Sequence, residues 1–420
     1  MTARLGWLDA LRGWAALVVV AFHLSPQILG NERHLAVMRH IDLGKYGVLL
    51  FFLVSGYVIP MSLERHGSLR RFWIGRLCRI YPAYLATVAV VAVLAVTGVL
   101  SWQASLRAET VTGVLAHATM TPDLLGLRGA VRVFWTLAYE MTFYLVVAGL
   151  FAWRLHRHSH WWAAGLALVA LLAGDHLPDD LLGGTFADRR LLAGVLLIVV
   201  ALSVTAYLRR RLVRVAGAVG IAMLVIPAVN GHATRNSTVI ASWQGLLLLA
   251  VMFAGTVVYR AQHGQIRRGP AVTSLSVVTL SVIVAHRING VAPQTWVVTV
   301  AAVAATFLLA YGLRQRRVPF VWTWLGQISY SLYLLHAVIL LFVPRLVPDL
   351  GTRPPAIRLV VALLYLGAAL TAAWLSYRIV ELPGQALGRR LTRGPVVAAR
   401  VATQRAAPGT GRGENARQSV

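Results

Sequence analysis

Charge is scarce in this chain and leans one way. Charged residues make up only 13% of it, with 40 Lys+Arg against 14 Asp+Glu. A soluble globular domain carries charge on roughly a quarter of its residues, so composition argues against a water-soluble fold. Cysteine is nearly missing: the single Cys78 excludes an intrachain disulfide and any cysteine-based metal site, and no metal centre is expected. Lysine is nearly missing as well. Lys45 is the one lysine among the forty basic residues, a bias read as the arginine-rich usage of a high-GC bacterial genome. The net charge of +26 would point a soluble protein toward nucleic acid. Here the arginines sit between apolar runs and not on one basic face, so no nucleic-acid partner is expected. Segments of alternating polarity about ten residues long are also lacking, which speaks against a membrane β-barrel. Neither an internal repeat nor a second soluble domain is evident.

Apolar sequence is what the chain has in quantity: 58% of it is hydrophobic, in runs of about 16–22 residues from end to end. Such a run covers roughly 30 Å of hydrocarbon as a helix, and in lipid the backbone polar groups must be satisfied within the segment. The expected fold is therefore all-α, a polytopic transmembrane helical bundle. We place spans near 11–29, 47–63, 80–101, 132–153, 161–175, 190–208, 212–230, 240–259, 271–286, 295–313, 323–344 and 357–378. The runs at 161–175 and 271–286 are short for a full crossing, so the expected number is 10–12. The bundle should occupy residues 1–394. Residues 395–420, small, polar and basic, read as a disordered cytoplasmic tail.

The basic residues orient this map. If the N-terminus lies inside, 27 of the forty fall in cytoplasmic segments, among them the five arginines from Arg65 to Arg79 and the Arg209, Arg210, Arg211 and Arg214 group. Every cytoplasmic loop then obeys the positive-inside rule. Both termini are expected in the cytoplasm, with the protein in the inner (plasma) membrane. Asp175, Asp179, Asp180 and Asp188 cluster in one outer loop. The first helix is not expected to be cleaved: Asp9 and Arg12 interrupt its start, and no small-x-small site follows.

A few ionisable residues fall inside the apolar runs, where they are costly and mark functional sites by default. In LDALRGWAALVVVAFHL, Arg12 and His23 are eleven positions apart. At 100° per residue they differ by about 20° and share a face, roughly 16 Å apart along the axis. With Arg12 at the cytoplasmic interface, His23 lies near mid-membrane, either as a reactive group or as a neutral histidine bonded to a neighbouring helix. Glu140, in VFWTLAYEMTFYLVV, is the one carboxylate well inside a span; the others map to loops, tails or span edges. Its expected depth is similar to that of His23, so the two are expected to be able to meet, and a Glu–His pair would fix the tautomer and raise the basicity of the imidazole. A protonated glutamate joining helices is the competing reading. Trp135 is read as an interfacial anchor.

His336 lies in ISYSLYLLHAVIL, where Ser329, Tyr333 and His336 follow i, i+4, i+7 and form a polar stripe. Lining of a site and helix–helix bonding are both open for it. In RRFWIGRLCRIYPAY, Arg71, Arg76 and Arg79 precede Pro82 at the cytoplasmic edge. Guanidinium groups clamp phosphates, and coenzyme A offers three, although ordinary positive-inside bias accounts for such arginines equally. Ser55-Gly56, in GVLLFFLVSGYVIP, is read first as a close helix-packing site, with Ser55 kept as a binding-site candidate; no GxSxG elbow is present.

In order along the chain, LDALRGWAALVVVAFH, FFLVSGY, RFWIGRLCRIYPAY, FWTLAYEMTFY, GQISYSLYLLH and VELPG resemble the membrane acyltransferases of family 3. These segments cover residues 5–84, 134–144, 326–336 and 380–384; the middle of the chain, about 160–320, carries no motif of the family. The resemblance implies about ten core helices. It also implies transfer of an acyl group, acetyl or another short acyl, from acyl-CoA to a hydroxyl of a carbohydrate, a glycosylated metabolite or an envelope polymer. No cofactor beyond the donor is implied. His23 and Arg12 become the prime catalytic candidates, with Glu140 beside them and Arg76 and Arg79 on the donor. Arg71, Tyr333, His336 and Ser55 are further binding candidates.

In the mechanism so expected, His23 takes the proton of the acceptor hydroxyl as it attacks the thioester, and Glu140 orients the imidazole; an acyl-histidine relay is an alternative. A secondary transporter is the competing function, since twelve spans with cytoplasmic termini would suit one. Against it stand the missing sequence repeat and the missing paired broken helices. Another class of membrane acyltransferase would not need the Arg12–His23 spacing, and a non-catalytic scaffold would not need buried His and Glu.

Overall fold

The computed structural model describes residues 5–101, 104–231, 239, 241–290 and 293–392; the expected tail at 395–420 lies outside them. Helices account for nearly all regular structure, and the described residues contain no strand, only an isolated bridge between Asp179 and Gly231. In chain order the elements that build the bundle are α1 (Gly6–Leu29), α2 (Leu43–His66), α3 (Leu69–Val96), α4 (Trp135–Ala152), α5 (Ser159–Ala173), α6 (Phe186–Arg209), α7 (Val213–Ala222), α8 (Ser242–Gln262), α9 (Arg268–Ile288), α10 (Pro293–Gly312), α11 (Phe320–Leu340), α12 (Pro355–Ser376) and α13 (Leu382–Thr392).

Ten helices among the described residues are long and apolar enough to cross a membrane. The two expected spans without such a helix are 161–175 and 212–230. In the first, α5 has 15 residues, about 22 Å at 1.5 Å per residue, and is extended by 3₁₀ turns at both ends. In the second, α7 stops at Ala222 and a separate turn, Val225–Val229, follows. The 271–286 segment, by contrast, belongs to the 21-residue α9. The protein is an all-α, polytopic integral membrane protein.

Two ends of the bundle can be distinguished. At the N-terminal end a Glu64–Arg260 ion pair ties α2 to α8, and Trp153 Nε1 donates to the Arg214 carbonyl at 2.9 Å. At the opposite end lie the short helices Asn31–His40 and Thr110–Thr119. There Arg189 holds Glu109 through Nε and Nη2, at 3.0 and 2.8 Å from Oε1, and Asp179 accepts from the Ser242 backbone N–H at 2.9 Å. Asp188 caps α6 together with Thr185.

Close approach fixes the rotation of α2. A Cβ on Gly56 would lie 1.7 Å from the Met252 carbonyl oxygen, and one on Gly255 would lie 2.1 Å from that of Leu53. Only glycine lets these two backbones touch, which bears out the packing reading of Gly56 and turns the adjacent Ser55 toward α4.

Candidate active site

The face shared by Arg12 and His23 on α1 looks into the bundle. Arg12 pairs with Asp9 one turn earlier, and Asp9 is buried. His23 Nδ1 is 2.9 Å from the Val19 carbonyl. A carbonyl only accepts, so Nδ1 carries the proton and Nε2 keeps the lone pair. On α11, His336 Nδ1 likewise donates to the Leu332 carbonyl at 3.0 Å, which leaves its Nε2 as an acceptor 3.3 Å from His23 Nδ1. His336 is fully buried, and Tyr365 of α12 donates to its carbonyl at 3.1 Å. His23 thus shares its Nδ1 proton between Val19 and His336.

Glu140 does not take that position. Its carboxylate accepts from Tyr144, one turn further along α4, at 2.5 Å, and from Ser55 at 3.5 Å. The Arg76 guanidinium lies over the Tyr144 ring, 5.6 Å from its centroid. The expected Glu140–His23 pair is corrected to a His23–His336 pair. Depth alone did not decide the matter: α4 turns Glu140 toward α2 and α3, whereas α11 packs directly on α1.

Three cavities follow one another along the bundle. The central chamber, about 90 Å³, is lined by Arg12, Ser55, Arg76, Arg79, Glu140 and Tyr333 among others, including Ser329 of the predicted stripe. Toward the N-terminal end it meets a recess of about 480 Å³, to which Arg76 and Arg79 also contribute, together with the exposed Arg71. Toward the opposite end, Val48 and Tyr333 separate it from a cavity of about 600 Å³ lined by His23, His34, Asp42, Lys45 and Arg132. Tyr333 is held in this wall by its hydroxyl, which donates to the Val133 carbonyl at 3.1 Å and lies 3.0 Å from Thr136 Oγ1.

The structure therefore brings Arg12, Ser55, Arg76, Arg79, Glu140 and Tyr333 to one chamber. It places Arg71 in the recess below, His23 in the cavity above and His336 behind His23. Several residues were not anticipated. Lys45 lines the His23 cavity with its ammonium 4.7 Å from the centre of the Trp135 ring. Trp135 is buried on that cavity and is not an anchor facing lipid. Glu381, in the π-helical turn Tyr377–Glu381, is buried and accepts from Ser331 at 2.5 Å. The one available signal was the uniqueness of Lys45 in a chain that otherwise uses arginine.

The sequence profile described as an acyltransferase domain, of family 3, matches residues 5–178 and 190–378. The chain belongs to this acyltransferase family. The match takes in Arg12, His23, Lys45, Ser55, Arg71, Arg76, Arg79, Glu140, Tyr333 and His336, and leaves Glu381 and α13 outside it. Among curated relatives, the acyltransferase MdmB of Streptomyces mycarofaciens is 31% identical over 185 residues, 40% of this chain and 45% of that protein. Nodulation protein 10 of Rhizobium leguminosarum bv. viciae is 34% identical over 181 residues, 39% and 48% of the two chains. The peptidoglycan O-acetyltransferase OatA of Listeria monocytogenes serovar 1/2a is 27% identical over 153 residues, 33% and 23%. The matched region thus spans less than half the length of each of these relatives. No solved structure matches the acyltransferase chain.

Proposed function

We propose that this protein is a membrane O-acyltransferase that moves an acetyl or other short acyl group from acyl-CoA to a hydroxyl of a carbohydrate, a glycosylated metabolite or an envelope polymer. The observation that carries this reading is the series of three cavities: arginines at one end, a histidine with a free Nε2 at the other, and a small chamber between. The relative named a peptidoglycan O-acetyltransferase supports a carbohydrate hydroxyl as acceptor.

In this reading the donor enters from the N-terminal end, taken as the cytoplasmic side in keeping with the positive-inside bias, and its phosphates rest on Arg71, Arg76 and Arg79. Its thioester arm threads the central chamber, whose volume admits a few waters or a short acyl chain. The acceptor enters the larger cavity from the opposite end. His23 Nε2 removes the hydroxyl proton as the oxygen adds to the acyl carbonyl. The tetrahedral intermediate then collapses, the C–S bond breaks, and the imidazolium returns the proton to the departing thiolate, so the ester and free CoA leave and His23 is restored. His336 holds the Nδ1–H tautomer and orients the ring. Lys45 and Arg132 make this cavity cationic and stabilise the oxyanion of the intermediate. Arg12 and Glu140 line the path of the acyl group between the two ends.

The test is mass spectrometry of metabolites and envelope glycans from a deletion strain, complemented with wild type or with His23→Ala. One acyl mass should vanish on deletion, return with wild type and stay absent with the variant. Spectra unchanged by deletion would remove the acyl-transfer reading.

A further inference from the structure

The last helix, α13, lies beyond the residues matched by the acyltransferase profile, yet it forms one wall of the arginine-lined recess. Its docking is set by two glycines one turn apart. A Cβ on Gly384 would lie 2.6 Å from the Cys78 carbonyl oxygen, and one on Gly388 would lie 2.9 Å from Cys78 Cβ. With that face against α3, a different face is presented to the recess. Gln385, Arg389 and Thr392, spaced i, i+4, i+7, share it and all three line the recess.

Arg389 there joins Arg71, Arg76 and Arg79, with His66 beside them, and no carboxylate among the described residues lines the space. Four guanidinium groups around one recess repel one another unless an anion sits between them. Glu381, just before α13, is turned away into its bond with Ser331. The volume of about 480 Å³ suits a ligand carrying several phosphates, and the fork of each guanidinium matches phosphate oxygens.

We propose that α13 completes the donor site: Arg389 binds a phosphate of the nucleotide end of CoA, with Gln385 beside it on the same wall, opposite Arg71 and Arg76. This rests on the acyl-CoA reading above. It makes a helix beyond the matched profile part of substrate recognition.

Full-length protein in nanodiscs of phosphatidylcholine is titrated with CoA by calorimetry, with thermal unfolding as the check on folding. Arg389→Ala should weaken CoA about tenfold or more, the loss of one charge-assisted contact. Gly388→Leu, which removes no charge but lifts α13 off α3, should weaken it similarly. Arg353→Ala, at the opposite end, controls for net charge and should bind as wild type does. Wild-type affinity in Arg389→Ala, while Arg76→Ala/Arg79→Ala loses CoA, overturns the role of α13 and leaves the acyl-CoA reading standing. Failure of wild type to bind CoA at all removes that reading, and this inference with it. An effect of Arg389→Ala seen only when phosphatidylglycerol is present identifies the ligand as a lipid head group and also overturns the proposal.

Discussion

His336 Nε2 accepts toward His23 Nδ1 across 3.3 Å, from a position with no exposure to solvent. The pair joins α1 to α11. It orients one imidazole through another where a carboxylate was expected, and it leaves Nε2 as the unprotonated ring nitrogen of a histidine that lines the cavity of about 600 Å³.

Turnover should separate the two histidines. His23→Gln keeps a hydrogen-bonding side chain but cannot accept the proton at neutral pH, so kcat should fall about 10²–10⁴-fold with folded yield retained. His336→Leu removes only the orienting acceptor and should cost less, roughly tenfold or more in kcat with KM for acyl-CoA unchanged. His336→Gln, whose amide oxygen can still accept, should recover part of that loss. Steady-state kinetics in nanodiscs decides. Full turnover in well-folded His23→Gln would end the general-base assignment.

Lys45 carries the next prediction. An oxyanion in a water-poor cavity is stabilised by about 3–4 kcal/mol per well-placed donor. Lys45→Met should therefore lower kcat roughly 10²-fold or more while CoA affinity, measured by calorimetry, stays put. Lys45→Arg keeps the charge but spreads it over a larger planar group and should restore only part of the rate. Equal rates in Lys45→Met and wild type would return this residue to a packing role against Trp135.

Acid should loosen the opposite end of the bundle through His117. This imidazole lies outside the long spans; its Nε2 accepts from the Ala130 backbone N–H at 3.1 Å, and its Nδ1 lies 2.6 Å from the Tyr84 hydroxyl. Burial lowers its pKa from 6.5 to about 4. The neutral form is thus the one the fold holds, and the unfolded chain binds more protons between those two values. Stability from this group is complete above about pH 6.5 and is lost as pH falls toward 4, by about 3 kcal/mol at most. Thermal unfolding from pH 7 to 4 should show that decline, and His117→Gln should flatten it. A slope unchanged by the substitution would assign the acid sensitivity elsewhere. Because Ala130 borders the His23 cavity, the same loss should weaken acceptor binding in acid.

The sequence by itself determined that this protein is a helical membrane bundle, because hydropathy over a run of about twenty residues depends on nothing outside the run. It also placed Arg12 and His23 on one face, and Ser329, Tyr333 and His336 on another, since helical periodicity is a local property. Family membership was legible for the same reason, in short motifs whose order needs no folding to be read. What only the tertiary structure decided was which faces meet. Depth estimates put Glu140 and His23 within reach of each other. The Gly56–Met252 contact and the packing of α11 on α1 instead gave Glu140 to Tyr144 and Ser55, and gave His23 to His336. Lys45 looked like a compositional remnant until α4 brought Trp135 beneath it, and the partner of α13 could not be read until Gly384 and Gly388 laid it against Cys78. Rotation and register between helices come from side-chain shape at contacts far apart in the chain, and hydropathy carries no record of them.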